Sequence, residues 1–320
     1  MSVSPVSGAQ VGLRSGSYEA DIASIGASLR RLRFEGRDLV VPFAADEERP
    51  AMSGALLAPW TNRTADGRYE FGGGIHRLPV NEPQTGNAAH GLVAGLDFRV
   101  VEVRADSAML SATIEPQPGY PWRVRVDTAL RLSEDGLHQE VVATNESDTD
   151  APFGVGAHPY LVADAPSRRA IDGWVLHVPA EEILLVSPDR LLPTDVVHVA
   201  DHEHAAFDFR SSRRVGQQAI NNAYSAFARD DRGLARVTVT ADGVGAEIEW
   251  DERVGWAQVY TSDAADGEGY RRGVAVEPMT CPPDALNSTL GLAVLKPGAS
   301  TSAGWSIRAV EGEVGPPPRP

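Results

Sequence analysis

Residues 273–287 read GVAVEPMTCPPDALN, the pattern of a short strand that hands over to a loop. Side chains of an extended chain alternate between faces, so Val274 and Val276 share one side and Ala275 and Glu277 the other. Glu277 then stands at the end of the strand, just before Pro278. The segment beyond, with Pro282, Pro283 and Asp284, cannot continue a sheet ladder and reads as a loop capping that end. Sites are commonly built where rigid strands meet loops. A half-buried glutamate there would have its pKa raised by desolvation, which suits a general base working near neutrality. An edge-strand glutamate facing water fits the same stretch.

The same alternation extends in both directions. Residues 18–43, YEADIASIGASLRRLRFEGRDLVVPF, contain strands separated by turns at Gly26 and at Glu35 to Asp38. Arg68 to Phe71 and Ile75 to Val80 read as a hairpin about Gly72-Gly73-Gly74. No helical pattern follows those glycines, so they are not a phosphate cradle. Further runs are DFRVVEV (97–103), SAMLSATIEP (107–116), WRVRVDTALRLS (122–133) and LHQEVVATNES (137–147). WVLHVPAEEILLV (174–186), RVTVTA (236–241), AEIEWD (246–251), WAQVYTS (256–262) and TSAGWSIRAV (301–310) continue the series. Their spacing predicts a large antiparallel all-β assembly with few short helices. The one helix expected lies within Ser211 to Ala219. Neither a repeat nor a linker divides the chain, so residues 1–320 are expected to form a single domain, with an ordered core over about 10–312 and a Pro-rich tail over 313–320.

Composition narrows the function. The net charge of −15 and isoelectric point near 4.9 argue against a nucleic-acid or anionic-membrane surface. Lys296 is the only lysine, so arginine supplies nearly all positive charge. Cys281 alone cannot form an intrachain disulfide framework or a multi-cysteine zinc cluster, and it reads as a packed thiol. No secretory or membrane-spanning pattern is evident, which gives a soluble cytoplasmic protein as the expectation. The glycosylation patterns at Asn62, Asn145 and Asn287 then read as chance matches.

Several polar groups exceed what a sheet requires. Arg63 follows Trp60 in a loop; it is either a cation–π pair with that ring or a fork for sugar oxygens. His90 precedes Gly91 on a glycine-bounded loop. His158 lies in GVGAHPY (154–160), where small residues allow close approach, and an imidazole there can transfer a proton near pH 7. With Glu277, it supplies an acid and a base without a nucleophile or a metal. Ser-His-Asp hydrolysis lacks a G-x-S-x-G elbow, and glycoside hydrolysis calls for two opposed carboxylates. His198, His202 and His204 would share one face of an extended strand as a conceivable metal set, or form a solvated turn.

Taken together, PWTNRTADGRYEF (59–71), AAHGL (88–92), GAHPYL (156–161), FDFR (207–210) and VAVEPMTCPPDALN (274–287) resemble the aldose 1-epimerase (galactose mutarotase) family, in that family's order across nearly the whole chain. The resemblance implies a β-supersandwich that interconverts the α and β anomers of an aldose with no cofactor and no metal. Carried over motif by motif, Arg63 would bind the sugar and His90 would bind and polarise near the ring oxygen. His158 would be the general acid and Glu277 the general base. Asn221, in INNAY after FDFR, stands where the family usually has a sugar-binding aspartate. That departure removes a charge and bears on sugar preference. Trp60 is expected to offer an aromatic face to the sugar, whereas Trp250, Trp256 and Trp305 are expected in the core.

The alternatives are a hexose-6-phosphate epimerase, to which Arg213 and Arg214 or Arg271 and Arg272 could contribute, and a non-catalytic sugar binder. The expected partner is a small sugar, and the expected state a monomer or homodimer.

Overall fold

The computed structural model describes residues 5–263 and 269–312; the expected Pro-rich tail at 313–320 lies outside the described residues. The strands follow from alternation. In Ser107–Ile114, Ala108, Leu110, Ala112 and Ile114 are buried and the residues between them are not.

One antiparallel sheet has nine strands. It runs in space from Arg99–Val103 through Ser107–Ile114, Val124–Ser133, Gly136–Asn145, Ser300–Val310, Val244–Trp250, Ala235–Ala241 and Val175–His177 to Arg213–Arg214. The second has eight: Pro193–His198, Ala180–Val186, Asn221–Phe227, Trp256–Tyr260, Val274–Met279, Gly156–Ala157 and Leu56–Leu57, with Tyr160–Leu161 also paired to Val274–Met279. A four-stranded sheet, Gln10–Ser15 to Arg37–Asp38, completes the antiparallel supersandwich. One contiguous core joins side chains of all three, among them Ile22, Val141, Ile307, Tyr224 and Val276.

The expected helix at Ser211 to Ala219 is not there. Arg213–Arg214 is a strand, and Gly216, at φ +58°, turns the chain in a conformation no helix contains. The guanidinium of Arg213 lies over the Phe209 ring and donates to the Asp208 carbonyl, so side-chain contacts fix this segment. The one α-helix among the described residues is instead Ala285–Ser288, in the loop beyond Glu277. The glycine hairpin is present, with Arg68–Phe71 paired to Gly74–Arg77. Trp250, Trp256 and Trp305 are buried as expected. Among the described residues, no helix is long and apolar enough to cross a membrane.

Glu277 is not at the end of its strand, which continues through Pro278 to Met279. A proline inside a sheet needs a place where its missing N–H is not required. Val276 and Thr280 donate across to the carbonyls of Pro159 (3.2 Å) and Val155 (2.9 Å), and Pro278 lies midway between them. There the neighbouring chain is interrupted, between Gly156–Ala157 and Tyr160–Leu161. His158 sits in the interruption. Its N–H donates to Ala55 (3.0 Å) and its carbonyl accepts from Gly54 (2.8 Å), so its backbone is satisfied away from Val274–Met279.

Candidate active site

Register decides which residues face the site. Glu277 is opposite Gln258, Ala275 is opposite Tyr260, and Tyr260 is opposite Asn221, so Asn221, Tyr260, Gln258 and Glu277 share one face of the eight-stranded sheet. Val274 and Val276 point the other way, into the main core. Leu184, Ala223, Trp256 and Met279 form a small apolar cluster that includes the cross-strand neighbours on the site face.

Arg63 and His90 arrive from a separate ribbon. Arg63–Ala65 pairs with Asn87–Ala89, and the His90 N–H donates to the Asn62 carbonyl at 2.8 Å. Gly91 makes that turn possible: its φ is +72°, and a Cβ would stand 2.1 Å from the Ala58 carbonyl oxygen.

Arg63, His90, His158, Asn221 and Glu277 thus line one cavity of about 430 Å³. Trp60 does not. It is buried in the main core, so the expectation that its ring faces the sugar is corrected. Its large apolar ring is packed among core side chains, where burial favours it, and the aromatic walls of the cavity are Tyr160 and Tyr260. Nor does Arg63 stack on Trp60; its guanidinium forms a two-pronged pair with Glu82, at 2.7 Å and 3.1 Å.

His158 Nε2 and Glu277 Oε1 lie 3.2 Å apart, with both side chains almost wholly buried. The His90 ring is 5.5 Å from that of His158, and the Tyr160 ring stacks on His158 at 5.0 Å. Burial pushes the Glu277 carboxyl up to about 8, against an opposing pull from the Arg63 charge. Burial, with the neighbouring His90 as a lesser cause, drives His158 well below the usual imidazole range. His90 is likewise lowered, by burial and then by Arg63. Both effects disfavour charge, so at neutral pH the His158–Glu277 pair holds one proton between two buried groups. Glu277 Oε2 and His158 Nδ1 find no hydrogen-bond partner among the described residues. One member able to give a proton and one able to take it are therefore poised at the same point.

Asn221 is held by Gln258, whose Nε2 donates to Asn221 Oδ1 at 2.8 Å. That bond leaves the amide NH₂ of Asn221 free to donate. Cys281 is a packed thiol, as expected, lying 3.5 Å from Thr61 Oγ1. His202–Phe207 forms a 3₁₀ helix rather than an extended strand, and no metal-holding group of three or more His, Cys, Asp or Glu occurs among the described residues. Glu82, Gln258, Tyr160 and Tyr260 escaped the sequence reading. Only Tyr160 had a local signal, its place beside His158 and Pro159; the others depend on pairing between distant strands.

Comparison with known proteins agrees with this architecture. The family description "Aldose 1-epimerase" matches residues 10–308. The chain is 33% identical to the uncharacterized protein YihR of Escherichia coli K12, over 91% of this chain and 90% of that one. It is 27% identical to the galactose mutarotase of Mus musculus, over 83% and 81%. Among solved structures, the GalM/aldose epimerase homologue from C. elegans superposes with a TM-score of 0.81 at 20% identity, covering 95% of this chain and 99% of that one.

Proposed function

The chain belongs to the aldose 1-epimerase family, and on that premise we propose that it interconverts the α and β anomers of an aldose by acid–base opening and reclosure of the ring. The observation that carries the reading is the buried His158–Glu277 pair, 3.2 Å apart in a cavity also lined by Arg63, His90 and Asn221. The existence of relatives called galactose mutarotase supports it.

Ring opening needs a base at the C1 hydroxyl and an acid at the ring oxygen. In the resting site the proton of the pair sits on Glu277, and across the 3.2 Å gap it passes to His158 as the sugar binds. Glu277, now ionised, takes the hydroxyl proton and the C1–O5 bond breaks. The bond's electrons go to O5, which receives the proton of His158. An aldehyde results, with Glu277 protonated and His158 neutral. After rotation about C1–C2, neutral His158 takes back the O5 proton as O5 attacks the other face of C1, and Glu277 returns its proton to O1. The pair carries one proton at the start and one at the end. Arg63 and Asn221 bind the sugar's hydroxyl oxygens, and His90 lies against the acid.

Glu277→Gln keeps the shape and removes the base. It is expected to lower kcat at least about 100-fold, read by polarimetry on freshly dissolved α-D-glucose and α-D-galactose after subtraction of the spontaneous rate. A folded Glu277→Gln protein with near-normal turnover would sink the assignment.

A further inference from the structure

A second cavity, of about 360 Å³, adjoins the first, and among the described residues the two share Ala51 and Tyr160 alone in their linings. The Tyr160 hydroxyl donates to the Ala51 carbonyl at 3.2 Å, so these two residues form the partition. Its backbone is strained: Ala51 and Met52 both lie in the left-handed region, at φ +43° and +61°.

The second cavity is cationic in a chain of net charge −15, for Arg30, Arg31, Arg33 and Arg272 line it. A β-bulge brings them together. Between Ser28–Phe34 and Tyr18–Ala23 the register passes from Leu29↔Ile22 to Arg31↔Asp21, which leaves Arg30 as the extra residue. The bulge allows the consecutive Arg30 and Arg31 to join Arg33 on one wall. Among the described residues, the carboxylates nearby are fewer than the guanidinium groups. Asp21 serves both Arg31 (2.7 Å) and Arg30 (3.9 Å), Asp38 pairs with Arg33 (2.8 Å), and Glu47 also lines the space. Arg272 donates to the Pro166 carbonyl at 3.2 Å and pairs with no carboxylate among the described residues.

We propose that this cavity is an oxyanion subsite of the active site, and that the substrate is an aldose with an acidic group, a carboxylate, phosphate or sulfo group, at C6. The inference rests on the epimerase reading. With His158 on the ring oxygen, the partition residue Tyr160, stacked on His158, lies on the ring-oxygen side of the sugar. The ring oxygen joins C1 to C5, so the exocyclic C6 group is the substituent directed that way. Guanidinium forks match the paired oxygens of such groups. The arginines expected from sequence to serve a phosphosugar are mostly elsewhere. Arg271 is committed to Asp172 and Asp263, and Arg213 to Phe209 and backbone carbonyls.

The test compares anomer exchange, followed by NMR, on glucose with that on glucuronate, glucose 6-phosphate and glucose 6-sulfate. At least one acidic sugar should exceed glucose about tenfold or more in kcat/KM, and the preference should shrink as salt is added. Arg272→Gln and Arg31→Gln should each cut that preference about tenfold, the loss of a charge-assisted hydrogen bond. Glucose turned over as well as all three acids, or a preference that survives both substitutions, would overturn the subsite. Calorimetric titration of the Glu277→Gln protein with the same sugars reads binding apart from chemistry. Arg272-dependent preference for an acid there, with no acceleration of any sugar by the unmodified protein, would uphold the subsite and reject the epimerase reading. Equal binding of acidic and neutral sugars would reject the subsite whatever the catalytic result.

Discussion

Glu277 is costly to ionise where it stands, and that cost has a sign that can be measured. Its folded pKa, about 8, lies above the ordinary carboxyl value of 4.5. The folded protein therefore holds a proton that the unfolded chain releases. This contribution to stability is complete below about pH 4.5 and is lost as pH rises toward 8. Glu277→Gln has no proton to lose. Its melting temperature should gain on that of the unmodified protein between pH 5 and pH 8, by about 2 °C or more, read by differential scanning calorimetry across that range. A gap that stays constant with pH would mean that Glu277 is not buried as a protonated acid. His90 acts with the opposite sign. Its lowered pKa favours the fold above its ordinary value of 6.5 and ceases to do so as pH falls, in both proteins alike. Individual residues were legible where the backbone betrays them: His90 precedes a glycine that the turn requires, and His158 precedes a proline at a break in a strand. Trp60 was misread because a loop aromatic can face core or cavity, and sequence does not record which.

At the scale of elements, the strand Val274–Met279 is positioned by what packs across it. A Cβ on Gly156 would stand 2.5 Å from the Pro278 carbonyl oxygen and 3.0 Å from Thr61 Cγ2. Gly156→Ala must push the strand at the residue next to the proposed base. The expected cost is about 1–3 kcal/mol of stability, with kcat falling more than KM rises, measured by urea unfolding and by anomer exchange on the same preparation. Gly173→Ala is the control. Nothing lies within 4 Å of its added Cβ, and it should be near neutral in both assays. Most of the longer strands were legible, because alternation and glycine turns are local, whereas Arg63–Ala65, Asn87–Ala89, Pro193–His198 and Asn221–Phe227 were not read as strands. The order of strands was not. Gln258 meets Glu277, and Asn221 meets Tyr260, only through pairings that no local pattern encodes. The expected helix failed for a related reason: Arg213 is held by Phe209 and Asp208, contacts stronger than the helical preference of a short polar run.

For the molecule as a whole, the expectation of one domain becomes a prediction about cooperativity. The core is continuous from Val11 to Ile307 and joins the four-, nine- and eight-stranded sheets. Unfolding by urea should give coincident transitions by tryptophan fluorescence and far-ultraviolet circular dichroism, since Trp60, Trp174, Trp250 and Trp305 all belong to that core. Separate midpoints would indicate that one sheet opens alone. The interruption at His158 and Pro159, matched by Pro278, also divides the labour of the protein. Of the proposed proton-transfer pair, His158 is anchored by backbone bonds to Gly54 and Ala55 and Glu277 is followed by a proline, whereas the groups proposed to read the sugar come from Arg63, Asn221 and the bulged arginines of a different sheet. Redesign can exploit that separation: substitutions at Arg30, Arg31, Arg33 and Arg272 and at Asn221 are expected to change what is recognised while the proposed reacting pair is left in register.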